Sequence, residues 1–284
     1  WEIWARCASL KGLERKDIAI VGMACRFPQA ADYHQYWRNL ANGCNAIVEI
    51  PLSRWDVDKY YSSDINKVNT SISKWCGIVE DVDRFDHQFF SINAREACAM
   101  DPQQRLLLEE TWHCIEDSGL PITHLQDAKT DVFAGLMAAD YVQYATNLDN
   151  AIGSYTVLGC YQSLLANRLS HSLGLSGQST TINAACASSL IALHQAKNAL
   201  QQGQSDFALV ACVNLNLHPW KYLSFSKARM LSPDGQCRAF DKDANGYVPG
   251  DGLGVLLMQD LNKAIHDGNN IHGILKGSAV NHVG

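Results

Sequence analysis

The sequence predicts an α/β protein built around a buried sheet, and three observations carry that expectation. Apolar strand-like runs alternate with helix-like stretches along the chain. The later runs are continuously apolar rather than alternating, as in strands covered on both faces. The composition, 47% hydrophobic and 18% charged over 284 residues, is that of a globular chain and not a disordered one. A single domain of this size hides roughly 75% of the surface its unfolded chain would expose.

The elements follow in order. Residues 1–16 carry Trp1, Trp4, Arg15 and Lys16 without a clear period and are expected to form a linker or a docked arm. Residues 17–23 form a short apolar strand ending in a Cys25-Arg-Phe-Pro28 loop. Residues 34–41 read as a helix with Tyr36, Trp37 and Leu40 on one side. Residues 43–80 are rich in Asn, Ser, Asp and Trp, which predicts a long loop region with one short hairpin and a surface or interface role. A helix opens at Asp101, with Asp101 as N-cap, Pro102 at N1 and Gln104 completing a capping box. Leu108, Trp112 and Ile115 give it an apolar stripe, and Gly119 with Pro121 ends it. Strands are expected at 130–136, 179–183, 207–213, 254–258 and 274–280, with helices at about 153–172 and 187–201.

Composition also narrows the function. The formal net charge of −6 disfavours nucleic-acid binding, because phosphate contacts need a basic face. The ten cysteines lie at least 16 residues apart, so no C-x-x-C or zinc-knuckle pair exists and no metal site is expected. No signal peptide leads the chain and no apolar run approaches a membrane span, so a cytoplasmic protein with free thiols and no membrane partner is expected. The chain begins at Trp1 and ends at Gly284 in mid-pattern, as an excised piece of something longer would.

The segment that carries chemistry is Ser179-Thr-Thr-Ile-Asn-Ala-Ala-Cys186-Ala-Ser-Ser-Leu190. β-Branched residues at 180–182 favour a strand, and a run without Gly or Pro after Cys186 favours a helix. Cys186 is therefore expected at a strand-to-helix turn, close to the first helical position. Helix-start N–H groups lack intrahelical partners and, with the helix dipole, favour negative charge. A thiol there is biased toward the nucleophilic thiolate, and the same N–H groups can polarise a carbonyl oxygen. Read from the residues alone, Cys186 is equally a small buried residue, since a nucleophile needs a base or an electrostatic partner. His194, eight residues on, lies about 12 Å away by helical rise and cannot touch the sulfur. His171 and His218 could reach it only through the fold.

Asp241-Lys-Asp243-Ala-Asn245-Gly246 matches the opening of an EF-hand loop, but Gly252 stands where the bidentate Glu belongs. The glycines at 246, 250, 252 and 254 read instead as a turn before a buried strand. They form no G-x-G-x-x-G, and no P-loop, H-E-x-x-H or G-x-S-x-G occurs.

The turn Asn183-Ala-Ala-Cys186-Ala-Ser-Ser-Leu190 resembles the nucleophile motif of β-ketoacyl synthases, D-T-A-C-S-S-S-L. Further stretches resemble polyketide ketosynthase domains in the same order. They are the opening strand to Pro28, the run Met100-Asp-Pro-Gln-Gln-Arg-Leu-Leu-Leu-Glu109, Leu231-Ser-Pro-Asp-Gly235 with Cys237-Arg-Ala-Phe-Asp241, Gly246-Tyr-Val-Pro-Gly-Asp-Gly252, and Gly277-Ser-Ala-Val-Asn281. The likeness covers residues 17–284. The family's Asp and Thr before the nucleophile are Asn183 and Ala184, and its first Ser after it is Ala187. Pro249-Gly-Asp251-Gly and the run from His218 to Ser226 are more similar to modular synthases without a built-in acyltransferase, although polyunsaturated-fatty-acid-type synthases share the A-A-C-A turn.

The resemblance implies a thiolase-like αβαβα layered fold of two similar halves, of which this chain holds the first half and the start of the second. It implies a β-ketoacyl synthase: an acyl chain moves from an acyl carrier protein to Cys186, and a malonyl unit on a second carrier then condenses with it by decarboxylation. Phosphopantetheine belongs to the carrier, and the domain itself is expected to bind no cofactor. The two catalytic histidines of the family lie in H-G-T-G-T and N-x-G-H motifs, which this chain lacks, so the fragment alone is expected not to condense. Homodimers are implied, with the 179–183 strand pairing across the two-fold axis and residues 136–141 reaching toward the partner's pocket. A non-elongating ketosynthase and a non-catalytic dimer partner are the alternative readings, the second disfavoured by the presence of Cys186. A plain thiolase is disfavoured by the run from Asp101 to Glu109.

Overall fold

The computed structural model describes residues 16–147 and 153–282. The arm expected over 1–16 lies outside them except for Lys16. A six-stranded mixed sheet organises the chain. It comprises β1 (Ile18–Arg26), β4 (Thr130–Leu136), β5 (Ser179–Ile182), β6 (Phe207–Asn214), β7 (Gly252–Asp260) and β8 (Gly273–Leu275), in the spatial order β5-β4-β6-β7-β1-β8. β4 is parallel to β5 and β6, whereas β7 runs antiparallel to both β6 and β1. Every residue of β4 is buried, consistent with the run of small and apolar side chains over Val132–Leu136 in mid-sheet.

Helices cover both faces, so the described residues form one αβα sandwich. On one face lie α4 (Pro102–Ser118) and α8 (Leu164–Leu173). Leu106, Leu107, Leu108, Leu165 and Leu169 of these helices pack with Val132, Leu209 and Leu257 of the sheet. On the other face lies α9 (Ser188–Gln201), whose Ala192, Ala196 and Ala199 fit against Phe133, Val210 and Met258. The small side chains bring this helix close to the sheet and fix where its first turn begins.

Several sequence expectations change in detail. The expected helix over 153–172 is two, α7 (Thr156–Cys160) and α8, separated by an extended Tyr161. The cause is a contact with α4. Asp101 N–H donates to Gly159 O (2.9 Å), and Gln104 Nε2 reaches Gly159 O (3.0 Å) and Leu158 O (3.2 Å). Those carbonyls are spent on α4 and not on a continuing helix. The same contact overturns the capping box, because the Gln104 amide and the Asp101 N–H both turn to α7 and not to each other. Asp101 still caps α4 through Gln103 N–H (2.9 Å), Pro102 starts it, and Gly119 ends it in left-handed backbone.

The region 43–80 holds no contiguous hairpin. β2 (Ile47–Glu49) pairs antiparallel with β3 (Trp75–Gly77), and α2 (Val57–Tyr60) lies between them in sequence. Trp55, Cys76, Tyr222 and Leu231 form a small core that joins this region to α10 (Trp220–Lys227). α1 (Tyr33–Ala41) forms where expected, but Trp37 and Leu40 stay exposed. The last expected strand, 274–280, shrinks to β8, because only three of its neighbourhood's residues find partners on β1, and 276–282 form no regular element. The remaining helices are α3 (Ala94–Ala99), α5 (Ile122–Asp127), α6 (Tyr141–Asn147) and α11 (Leu261–His266). None of the described helices is long and apolar enough to cross a membrane.

Candidate active site

β5 ends at Ile182 and α9 begins at Ser188, and the residues between make one sharp turn. At its centre Ala185 is held at φ +50, a left-handed conformation that costs a residue with a Cβ of order 1 kcal/mol. Ala187 N–H closes the turn onto Ala184 O (3.1 Å) and Ser188 N–H onto Ala185 O (3.2 Å). Cys186, directly after the strained residue, projects from the apex and is exposed. The sequence placed it near the first helical position, but it stands two residues ahead of α9. The first amide of the helix, Ser188 N–H, is therefore used within the turn.

Two side chains hold the turn. Ser188 is buried, and its Oγ accepts from Ala184 N–H (2.8 Å) and lies 2.7 Å from Ala185 O and 3.0 Å from Leu136 O. The hydroxyl thus bolts the turn to the end of β4. The approach requires Gly135, where an added Cβ would sit 3.3 Å or less from the Ser188 backbone and 2.9 Å from Cys212 Sγ. Asn183 donates its side-chain amide to Gln162 Oε1 (2.9 Å) and Met137 O (3.2 Å). A carboxylate, usual in the motif this turn resembles, could not donate to either oxygen. The departure at this position is matched by its surroundings.

Cys186 opens into a cavity of about 690 Å³, lined chiefly by apolar groups of β1, β7 and α9 together with Tyr33 and Tyr36. Cys25 and Cys212 line the same cavity, but burial pushes both thiols up to about 11. Burial likewise lifts Cys76 to about 12 and raises Cys114 and Cys160. These five remain protonated near neutral pH and are poor nucleophiles. An exposed thiol on a strained turn, facing an apolar chamber, can attack an electrophilic carbon and retain an aliphatic product.

The histidines considered from sequence lie elsewhere or are otherwise engaged. His194 Nδ1 bonds Ser278 Oγ (2.8 Å) and its Nε2 faces Asn198 Nδ2 (2.9 Å). His218 Nδ1 accepts from Trp220 N–H (3.2 Å), and burial lowers its pKa. His171 sits in the last turn of α8, and neither it nor His218 bonds to Cys186. Among the described residues, no group of three or more His, Cys, Asp or Glu side chains could hold a metal ion.

Sequence reading missed the polar network behind the cavity. Asp251, on the cavity wall, pairs with Arg54 (2.8 Å) with both side chains buried. It also accepts from Val79 N–H (3.1 Å) and from Asn216 N–H (2.7 Å) and Nδ2 (3.0 Å). Burial raises the Asp251 pKa against the pull of Arg54. Lys221 Nζ then donates to Asn216 Oδ1 (2.9 Å) and Asn214 Oδ1 (3.2 Å). Nothing local in the sequence marks these partners, since Arg54 and Asp251 stand 197 positions apart.

Comparison with known proteins identifies the family. "Polyketide synthase ThaG" of Burkholderia thailandensis is 45% identical over 95% of this chain, which spans 5% of that protein. "Polyketide synthase PksL" of Bacillus subtilis is 42% identical over 94% of this chain, which spans 6% of that protein. A ketosynthase from module 6 of the bacillaene synthase of Bacillus subtilis 168 superposes with a TM-score of 0.81 and 41% identity, covering 91% of this chain and 42% of its own. The ketosynthase domain OzmH KS7 of the oxazolomycin system of Streptomyces albus JA3453 superposes with a TM-score of 0.85 and 37% identity, covering 91% and 45%. The thiolase-like expectation is thereby met, with the described sheet corresponding to under half of each solved ketosynthase. The family model "Beta-ketoacyl synthase, N-terminal domain" matches residues 15–264, and the chain belongs to that family.

Proposed function

We propose that this chain is the nucleophile-bearing part of a polyketide ketosynthase, and that Cys186 is the residue acylated. The observation that carries the reading is the strained turn at Ala185, which presents an exposed thiol to a 690 Å³ apolar chamber. The Cys186 thiolate attacks the carbonyl carbon of an acyl thioester borne on the phosphopantetheine arm of an acyl carrier protein. The Cys186 N–H faces the oxygen that gains charge in the tetrahedral intermediate. Collapse breaks the bond to the phosphopantetheine sulfur, which leaves as a thiolate and takes a proton from solvent, balancing the one Cys186 lost to solvent on ionising. The acyl chain remains on Cys186. A malonyl unit on a second carrier then loses CO₂, and its carbanion attacks the acyl carbon and releases the Cys186 thiolate. The family's two histidines, absent from this chain, would support that second step in the whole protein.

The reading extends to partners. The protein works in the cytoplasm as a homodimer, with β5 at the open edge of the sheet meeting its copy across a two-fold axis. The test is acylation of the full-length protein by an acyl thioester, with peptide mass spectrometry to locate the adduct. Label on Cys186, lost in Cys186→Ala with the fold intact, supports the assignment. Label spread over the other cysteines refutes it.

A further inference from the structure

Lys221 occupies a position that protein stability alone disfavours. It is 5% exposed, so its charge has left bulk water. It is the second residue of α10, where the helix dipole repels a cation. It makes no direct ion pair among the described residues. Its ammonium is held by two neutral oxygens, Asn216 Oδ1 at 2.9 Å and Asn214 Oδ1 at 3.2 Å.

The placement has a direction. Asn214 lines the Cys186 cavity and is itself fixed, its Nδ2 donating to Gly250 O (2.9 Å). The cation therefore stands one hydrogen bond behind the cavity wall. Asp140, Cys76, Asp251 and Cys186 all lie within its electrostatic reach. Asp251 is already engaged by Arg54, and Asp140 is buried with one oxygen lacking a hydrogen-bond partner. His218 lies within electrostatic reach of Asp140, and Tyr247 within that of Cys186. Burial lowers the Lys221 pKa, while Asp140 chief among its neighbours raises it.

We propose that Lys221 is a positioning residue, whose positive potential, relayed through Asn214, supports negative charge at Cys186 and draws anionic reactants into that cavity. The inference rests on the reading of Cys186 as the reactive thiol. The class of reactant it favours is a small anion over a neutral molecule of the same size.

Two alkylating probes of similar size test it. Iodoacetate is anionic and iodoacetamide neutral, and with each the Cys186 sulfur displaces iodide from carbon. Their second-order rates at Cys186 are measured in the full-length protein by peptide mass spectrometry, at low ionic strength. The ratio of iodoacetate to iodoacetamide rates should fall about threefold or more in Lys221→Met, because any change at the sulfur is common to both probes and cancels, whereas attraction of the reagent acts on the anionic probe alone. Lys221→Arg should restore it, and Asp140→Asn, which removes the opposing charge, should raise it. A purely structural role for Lys221 would slow both probes together. Cys186 labelled normally but with an unchanged ratio in both Lys221→Met and Asp140→Asn overturns the inference and leaves the cysteine assignment standing. A wild-type protein in which neither probe labels Cys186 overturns both.

Discussion

Replacing Ser188 by Ala should loosen the turn that carries Cys186. The Ser188 hydroxyl accepts one bond, from Ala184 N–H at 2.8 Å, and can donate only one at a time, to Leu136 O or Ala185 O. The variant thus loses two hydrogen bonds at a buried site. At about 1 kcal/mol each, the expected destabilisation is about 2 kcal/mol, or about 5 °C in Tm for a domain of this size. The second effect is positional. Without the bolt to β4, the left-handed Ala185 can relax toward ordinary backbone, and the sulfur leaves its place at the cavity mouth. If that movement adds about 1.4 kcal/mol to the barrier, acylation slows about tenfold. Urea unfolding gives the first quantity, and time-resolved acylation of Cys186 gives the second. A variant that loses the stability but acylates at the wild-type rate would show that Ser188 supports the sheet and does not hold the nucleophile.

Three further changes probe the scaffold. Gly159→Ala should block the docking of α7 on the end of α3, just ahead of α4, since the added Cβ would meet Ala99 O at 1.9 Å; a loss of more than about 3 kcal/mol or failure to fold is expected in urea titration, and a wild-type midpoint would refute the contact. Arg54→Met leaves Asp251 as a buried charge without its cation and should cost about 3–5 kcal/mol, checked by the same titration, with a loss below 1 kcal/mol counting against the network. Burial raises the Asp101 pKa to about 6, above its unfolded value of 3.8, so its carboxyl opposes folding at neutral pH and ceases to do so as pH falls through 6 toward 4. Asp101→Asn should therefore gain stability relative to wild type at pH 7 and lose that advantage by pH 4, measured as the difference in unfolding free energy; a pH-independent difference would refute the burial argument.

What was readable in the sequence was local. Asp101, Pro102 and Gly119 bounded α4 because capping depends on a few adjacent residues. The strands emerged because a strand buried on both faces must be continuously apolar. Cys186 stood out because a β-branched run meets a helix-favouring run around it. The misreadings of α4, α7 and α8 came from contacts between distant segments. Gln104 carries the pattern of a capping box, yet Gly159 offers it a carbonyl from 55 positions away. The same carbonyl cut the expected 153–172 helix in two. The role of Ser188 depends on Leu136, and that of Lys221 on Asn214 and Asn216, so neither has a periodic or spacing signature. The left-handed Ala185 is equally silent, since alanine carries no hint of positive φ. Gly135 in β4, which lets the Ser188 backbone come close, lies 53 positions before Ser188 and carries no local signal of that contact.

The nearness of β5 to the cysteine has a mechanical consequence. Only Asn183 and two alanines separate the last residue of that strand from Cys186, and β5 is the outermost ribbon of the sheet, hydrogen-bonded to β4 on one flank alone. Whatever clasps the open flank of Ser179–Ile182 also steadies the hinge on which the sulfur rides. Under the proposed dimer, tension at the rim would reach the Cys186 sulfur through a lever only a few residues long, and assembly would tune its reactivity without touching the chamber.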